Sequence, residues 1–237
     1  MEERFVRTAA LLGEEAVSRL AASTVAVFGL GGVGGYVVES LARAGVGTLW
    51  LFDFDTVSES NINRQIYALS STVGMKKTDV ARARIADINP AATVHTEDTF
   101  VDAENIGEYL DRAHPDFIVD AIDSVPSKIA LILAARERDI PIVCCMGTGN
   151  KLDPTKLQIT DIKKTNTCPL AATVRTRLRK LGVTDGVAAL WSSELPARQK
   201  EGEEGARPVP ATVSYLPAVA GLMLGGYVIR KIAQIEI

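Results

Sequence analysis

Two groups of residues in the first third of the chain could do chemistry together. The first is Gly29, Gly31, Gly32 and Gly34, a tight glycine series. Ahead of it, residues 23–29 form an apolar, β-branched run, the pattern of a buried parallel strand. Behind it, Val37, Val38, Leu41 and Ala42 recur at helical spacing until Gly45 and Gly47 end the run. A strand, a glycine turn and a helix in this order present free backbone N–H groups and the positive end of a helix dipole to an anion, here a nucleotide phosphate. Gly29 permits the turn, Gly31 and its neighbour Gly32 let backbone approach the phosphates, and Gly34 allows close packing of helix on strand. A second strand, residues 48–52, runs into Asp53, an acid placed for ribose hydroxyls. The glycines alone leave the identity of the nucleotide open.

The second group follows at once. Asp55 comes two residues after Asp53, and Asn61, Asn63, Arg64 and Gln65 crowd into five positions with no apolar period through them. An NAD-dependent oxidoreductase would continue here into a plain crossover helix, so this polar cluster argues against that class. Arg64 offers a planar fork to triphosphate oxygens, and Asn61 and Gln65 can hydrogen-bond phosphate or metal-bound water. Lys77 opens the next helix and adds a second positive charge. Asp123, at the carboxyl end of a later strand, lies at the rim where open α/β sheets bind ligands and suits Mg²⁺, which takes one or two carboxylates beside phosphates. Two cations, a magnesium carboxylate, a ribose acid and a glycine turn fit nucleotidyl transfer, in which catalysis is mostly positioning and charge neutralisation.

The elements that must hold these residues alternate. An amphipathic helix is expected over 2–22. Further strands are expected at 93–96, 116–121, 140–145 and 157–162, and helices at 77–88, 103–112, 127–138 and 169–181. The β-α-β-α order predicts a Rossmann-like, doubly wound, mostly parallel α/β sheet with an N-terminal helix and a C-terminal antiparallel and helical extension. Residues 1–237 read as one unit, with 1–147 binding nucleotide and 148–237 binding substrate and forming a dimer. Residues 184–210 read as loose, and Glu201–Gly205 has the composition of a mobile loop.

The 237 residues are 47% apolar and 23% charged with a net charge of −3, which makes the chain globular and gives no global nucleic-acid signal. RNA binding would have to use a local patch, and Lys163, Lys164, Arg175, Arg177, Arg179 and Lys180 supply one. Cys144, Cys145 and Cys168 include no C-x-x-C pair, which argues against a four-cysteine zinc site. No signal peptide is read at the start, so the expected compartment is the cytoplasm. Residues 213–229 are apolar but carry Pro217 and three glycines. They are read as a buried or interface helix, with peripheral membrane contact the weaker alternative.

The glycine turn, the D-x-D of Asp53 and Asp55 and the S-x-N-x-N-R-Q of residues 60–65 resemble the ubiquitin-activating-enzyme superfamily, whose bacterial members include ThiF and MoeB. Val73-Gly74-x-x-Lys77, Ile88-Asn89-Pro90 and Asp120-x-x-Asp123 also match its signatures. The resemblance implies a ThiF-like adenylating domain in which Asp53 binds ribose, Asn61, Arg64 and Lys77 bind phosphate with Gln65 beside them, and Asp123 holds Mg²⁺. It also implies a homodimer in which an N-terminal arginine, Arg7 with Arg4 behind it, reaches ATP across the interface. The missing cysteine pairs tell against the alternative, an adenylyltransferase of a ubiquitin-like sulfur carrier. Short strings at 121–125, 152–155, 159–161, 169–172 and 192–194 are more similar to the tRNA threonylcarbamoyladenosine dehydratase branch. That branch implies ATP activation of the threonyl carboxylate of t6A at position 37 of tRNA, by AMP transfer on family precedent, followed by ring closure to cyclic t6A. A further rival is a non-catalytic ATP-binding or scaffold module that receives sulfur from a cysteine desulfurase system. The full set of phosphate ligands argues against lost catalysis and leaves room for such a partnership as a second role. Cys168 could serve as a thioester nucleophile, but no activating base for it is legible.

Overall fold

A computed structural model describes residues 2–197 and 211–235. Strands β1 (Thr24–Phe28), β2 (Thr48–Phe52), β3 (Thr93–Glu97), β4 (Phe117–Asp120), β5 (Ile142–Cys145), β6 (Leu157–Asp161) and β7 (Ala188–Ser192) form one sheet in the order β3-β2-β1-β4-β5-β7-β6. Every neighbouring pair is parallel except β6 with β7. The central strands read as apolar runs because both faces are covered: in β1 and β4 every residue from Val25 to Phe28 and from Phe117 to Asp120 is buried.

Helices α1 (Val6–Leu12), α2 (Glu14–Ala22), α3 (Gly34–Ala44), α4 (Lys77–Ile88), α5 (Ile106–Ala113), α6 (Val125–Glu137), α7 (Pro169–Lys180) and α8 (Tyr215–Ala233) clothe the sheet. Leu20 of α2, Leu41 of α3, Ile85 of α4 and Leu224 of α8 share one core with Val25, Val27 and Leu49. Leu110 of α5, Ile132 of α6 and Val174 of α7 share the other with Ala26, Phe28 and Ile118. This is the doubly wound arrangement expected from the alternation.

The apolar C-terminal segment is α8, a helix long and apolar enough to cross a bilayer by length and composition. It is instead seated on α3. Leu216, Ala220, Leu224 and Val228, spaced by four, are fully buried, and Gly221 and Gly225 lie against Val33, Tyr36 and Ser40.

Three expectations need correction. The N-terminal helix is two helices, because Gly13 adopts φ 88° between them. Only α2 carries a buried stripe (Ala16, Val17, Leu20), whereas α1 buries nothing. The helix placed at 103–112 starts at Ile106, since the Asp102 carboxylate accepts the Glu104 and Asn105 N–H groups and holds them in a turn. Most consequential, the segment read as loose contains β7, buried between β5 and β6. Two leading alanines and no alternation give β7 little strand signal, and burial on both faces overrides that. Residues 201–205 lie outside the described residues.

Candidate active site

A cleft of about 720 Å³ opens at the carboxyl ends of β1, β2, β4 and β5. Sheet order reverses between β1 and β4, so the cleft sits at the topological switch point, where such sheets bind ligands. Its lining includes Gly29, Gly31, Gly32, Asp53, Asp55, Asn61, Arg64, Gln65, Lys77 and Asp123. Ten candidates from five separate stretches of sequence are thus brought together.

The glycine turn is fixed by contact as well as conformation. Gly29 has φ 90°, and a Cβ there would lie 2.7 Å from the Ala121 carbonyl oxygen. Gly34 stands back from the cleft as the packing glycine: its Cβ would fall 1.8 Å from the Gly29 oxygen. Among the described residues, no side chain caps the amino end of α3, which leaves its N–H groups for a ligand.

Asp53 is buried and anchors the turn. One oxygen accepts the Leu30 N–H at 2.6 Å, the other the Asp55 N–H at 2.8 Å. Burial pushes its carboxyl above the ordinary aspartate range, against the pull of Lys77 and the two N–H donors. Lys77, also buried, places its ammonium 2.7 Å from Asp55 and 3.6 Å from Asp53. The cation assigned to phosphate thus stands on the cleft floor, shared by the two acids.

Asn61 ends a capping box: its side-chain oxygen accepts the Ser58 N–H while Ser58 caps the short helix in return. Arg64 is held by the Ser60 carbonyl and Asn63, 2.9 and 2.8 Å from Nη1, and so extends along the cleft wall. Gln65 is buried, and its Oε1 has no hydrogen-bond partner, so it awaits a donor such as a sugar hydroxyl. Asp123 is exposed and forms no ion pair among the described residues. Phe54 and Phe100, edge to face at 5.2 Å and half exposed, make an apolar lip suited to a planar ring.

Beneath Asp123, Asp120 of the D-x-x-D signature is paired with Lys128, a residue that the sequence did not flag. Lys128 and Asp120 are both fully buried, 2.6 Å apart. The Lys128 ammonium also donates to the Cys145 carbonyl at 3.0 Å, and the second Asp120 oxygen accepts the Ile122 N–H at 3.0 Å. Burial works against the ammonium, but Asp120 together with Cys144 and Cys145 outweighs it and holds Lys128 above the ordinary lysine value. The pair ties the ends of β4 and β5 together and shapes the turn that carries Asp123.

Arg7 is not in the cleft; it is exposed on α1. Arg4 is engaged by Glu2 and the Ile88 carbonyl. Of the basic patch, Arg175 is committed to Thr165 and Lys163 to Asp185, while Lys164, Arg177, Arg179 and Lys180 are exposed. Cys144 and Cys145 are buried strand residues with thiols pushed up by burial, Cys145 to about 12. Cys168 is buried against the far wall of the cleft. Missed by the sequence reading is Lys151, buried on that same wall, in a stretch without apolar period or motif.

The ThiF family model matches residues 4–237. The chain belongs to the ThiF family. It is 42% identical over 245 residues to the tRNA threonylcarbamoyladenosine dehydratase of Bacillus subtilis, covering 99% of this chain and 96% of that one. Among solved structures it is similar to the Escherichia coli tRNA N6-threonylcarbamoyladenosine dehydratase, TcdA. The complex of that protein with AMP superposes with a TM-score of 0.90 at 37% identity, covering 98% and 95% of the two chains. The complex with ATP gives 0.88 at 36%, covering 98% and 94%. Within the ThiF family the chain therefore falls in the dehydratase branch.

Proposed function

We propose that this chain is an ATP-dependent tRNA threonylcarbamoyladenosine dehydratase. The observation that carries the reading is that one cleft joins a complete nucleotide set to a second wall, in a chain that matches dehydratases end to end. Hydroxide is a poor leaving group, so the threonyl carboxylate must be activated. A carboxylate oxygen attacks the α-phosphorus of ATP and pyrophosphate leaves. The carbamoyl oxygen then attacks the acyl carbon, AMP departs with the bonding pair, and the carbamoyl N–H proton is lost, which closes the oxazolone ring.

The residues divide this work. The glycine turn and the amino end of α3 hold the phosphates, and Asp53 and Gln65 hold the ribose. Arg64 neutralises phosphate charge, and the Lys77 ammonium does so from the cleft floor. Asn61 fixes the loop that presents Arg64. The free carboxylate of Asp123 fits Mg²⁺, which when bound would screen the triphosphate and favour pyrophosphate departure. Arg7, exposed and outside its own cleft, fits a trans role in a homodimer. Exposed Lys164, Arg177, Arg179 and Lys180 fit contact with tRNA phosphates. We place the enzyme in the cytoplasm, with residues 1–147 binding nucleotide and 148–237 binding substrate.

The test is mass spectrometry of nucleosides from t6A-containing tRNA incubated with the protein, ATP and Mg²⁺. Loss of one water from the modified adenosine, dependent on ATP, is expected. No loss, with pyrophosphate exchange stimulated instead by a small ubiquitin-like protein, would refute the reading in favour of sulfur-carrier activation.

A further inference from the structure

The wall of the cleft opposite the glycine turn carries a second buried cation. Lys151 is 2% exposed, and its ammonium donates to the Ser192 carbonyl at 3.2 Å, at the carboxyl end of β7. None of the ion pairs among the described residues includes it. Lys77 and Lys128, the other two buried lysines, each have a carboxylate; Lys151 has a single neutral acceptor. A buried ammonium held this way is incompletely compensated, and an arriving anion completes it.

The backbone on both sides of Lys151 is pinned. Asn150 exchanges hydrogen bonds with Ala211 and Ala197 at 2.7 and 2.6 Å. The Leu152 and Asp153 N–H groups donate to the Glu194 carboxylate at 2.9–3.0 Å, and the Tyr215 hydroxyl donates to the Leu152 carbonyl at 2.8 Å. Glu194 is the acid that acts on the ammonium, and its oxygens accept those N–H groups. The other titratable groups facing the ammonium are Cys168, ahead of α7, and Cys145, at the end of β5. Burial lowers the Lys151 ammonium below the ordinary lysine value, while Cys168, Glu194 and Cys145 pull it back. The fold thus fixes a cation at the cleft wall and gives it no anion of its own.

We infer that Lys151 is the recognition residue for the carboxylate of the substrate: it binds the threonyl carboxylate of t6A opposite the nucleotide phosphates and distinguishes modified from unmodified tRNA. The inference rests on the dehydratase reading. The triphosphate has its own cradle on the β1–β2 side, in the glycine turn, Arg64 and Lys77. Lys151 follows β5 on the other side, beside Cys168 and Leu170. A substrate whose carboxylate must meet the α-phosphorus enters between the two.

The experiment compares binding of t6A-containing tRNA with that of the same tRNA carrying plain adenosine at that position, together with KM for tRNA and for ATP. The wild-type protein is expected to prefer the modified tRNA. In Lys151→Met that preference collapses, on the order of 10- to 100-fold as a charged hydrogen bond is lost, with affinity for unmodified tRNA and KM for ATP unchanged. Lys151→Gln keeps a donor for Ser192 without the charge; it guards against a folding defect and is expected to lose the preference equally. As pH rises, the wild-type preference fades as the ammonium deprotonates, and in both variants the preference is flat with pH. An unchanged preference in a folded variant overturns the assignment, and so does a rise in KM for ATP alone, which would place Lys151 on the triphosphate. If the wild-type protein itself fails to dehydrate t6A, the parent reading fails instead, so the two failures are separable.

Discussion

Replacing Lys128 by methionine tests how the site is braced. The ammonium and the Asp120 carboxylate are 2.6 Å apart with no solvent exposure. At an effective dielectric of about 20, Coulomb attraction at that distance is about 6 kcal/mol, much of it offset by desolvating both ions. Methionine fills the space but leaves Asp120 as a buried carboxylate served only by the Ile122 N–H and the Cys144 thiol. Breaking one side of such a pair costs about 3–5 kcal/mol. For a domain of this size that lowers Tm by roughly 6–20 °C. The loss has a defined pH sign. The orphaned Asp120 takes up a proton more readily folded than unfolded, so the penalty is greatest at neutral pH and shrinks as pH falls. Asp120→Asn combined with Lys128→Met removes the stranded charge and is expected to recover most of the stability. Urea and thermal unfolding of the wild type, the single variant and the double variant at neutral and acidic pH measure this. A single variant within 1 kcal/mol of wild type, or a double variant no better than the single, would refute the idea that the ion pair braces the strand ends.

Other outcomes follow from the same geometry. Gly34→Ala drives a methyl group into the Gly29 carbonyl and is expected to cost about 1–3 kcal/mol or more and to weaken ATP binding; unchanged melting and ATP affinity would contradict it. Arg64→Ala and Asp123→Ala are expected to abolish turnover with melting curves intact, and wild-type rates in either folded variant would sink those assignments. Glu39 is pushed up by burial, but Arg84 and Arg43 outweigh this and hold it below the ordinary glutamate range. Its stabilising pairing is present above that range and lost as pH falls through the lowered value, so Glu39→Gln should show a smaller drop in Tm between pH 7 and about pH 3. Replacing Arg177, Arg179 and Lys180 by glutamine should flatten the dependence of log Kd for tRNA on log salt by about 2–3, and an unchanged slope would make this a merely solvated helix face.

What was legible in the sequence was what local chemistry dictates. β2 and α4 fall at their expected bounds because each begins and ends on a residue with a backbone reason to be there. The glycine turn was legible because a phosphate-binding backbone needs glycine at fixed spacing. The S-x-N-x-N-R-Q segment was legible because polar residues without an apolar period have no part in a core. What was not legible lives in tertiary contacts. In the sequence, Lys128 is a lone charge near the start of a largely apolar helix, and only the close approach of β4 and β5 shows it buried beside Asp120. Lys151 follows Gly149 and Asn150 in a stretch that reads as a turn, and nothing local says that its ammonium ends under β7.

The place of Lys151 on the cleft follows from the reversed strand of the sheet. β6 runs antiparallel to β7, with Leu157 opposite Ser192, so β6 begins at the sheet edge where β5 and β7 end. The chain leaving β5 at Cys145 therefore never crosses a face of the sheet before residue 157; it runs along the cleft edge, over the end of the strand it skips. Had β6 been parallel, a crossover would have carried residues 146–156 to the opposite edge, as parallel connections must. The reversed edge strand is thus what keeps Gly147, Asn150 and Lys151 on the cleft and brings the Lys151 ammonium to the Ser192 carbonyl. A parallel sheet of this order holds a nucleotide by itself; the antiparallel strand supplies the wall on which a second reactant can be held against it.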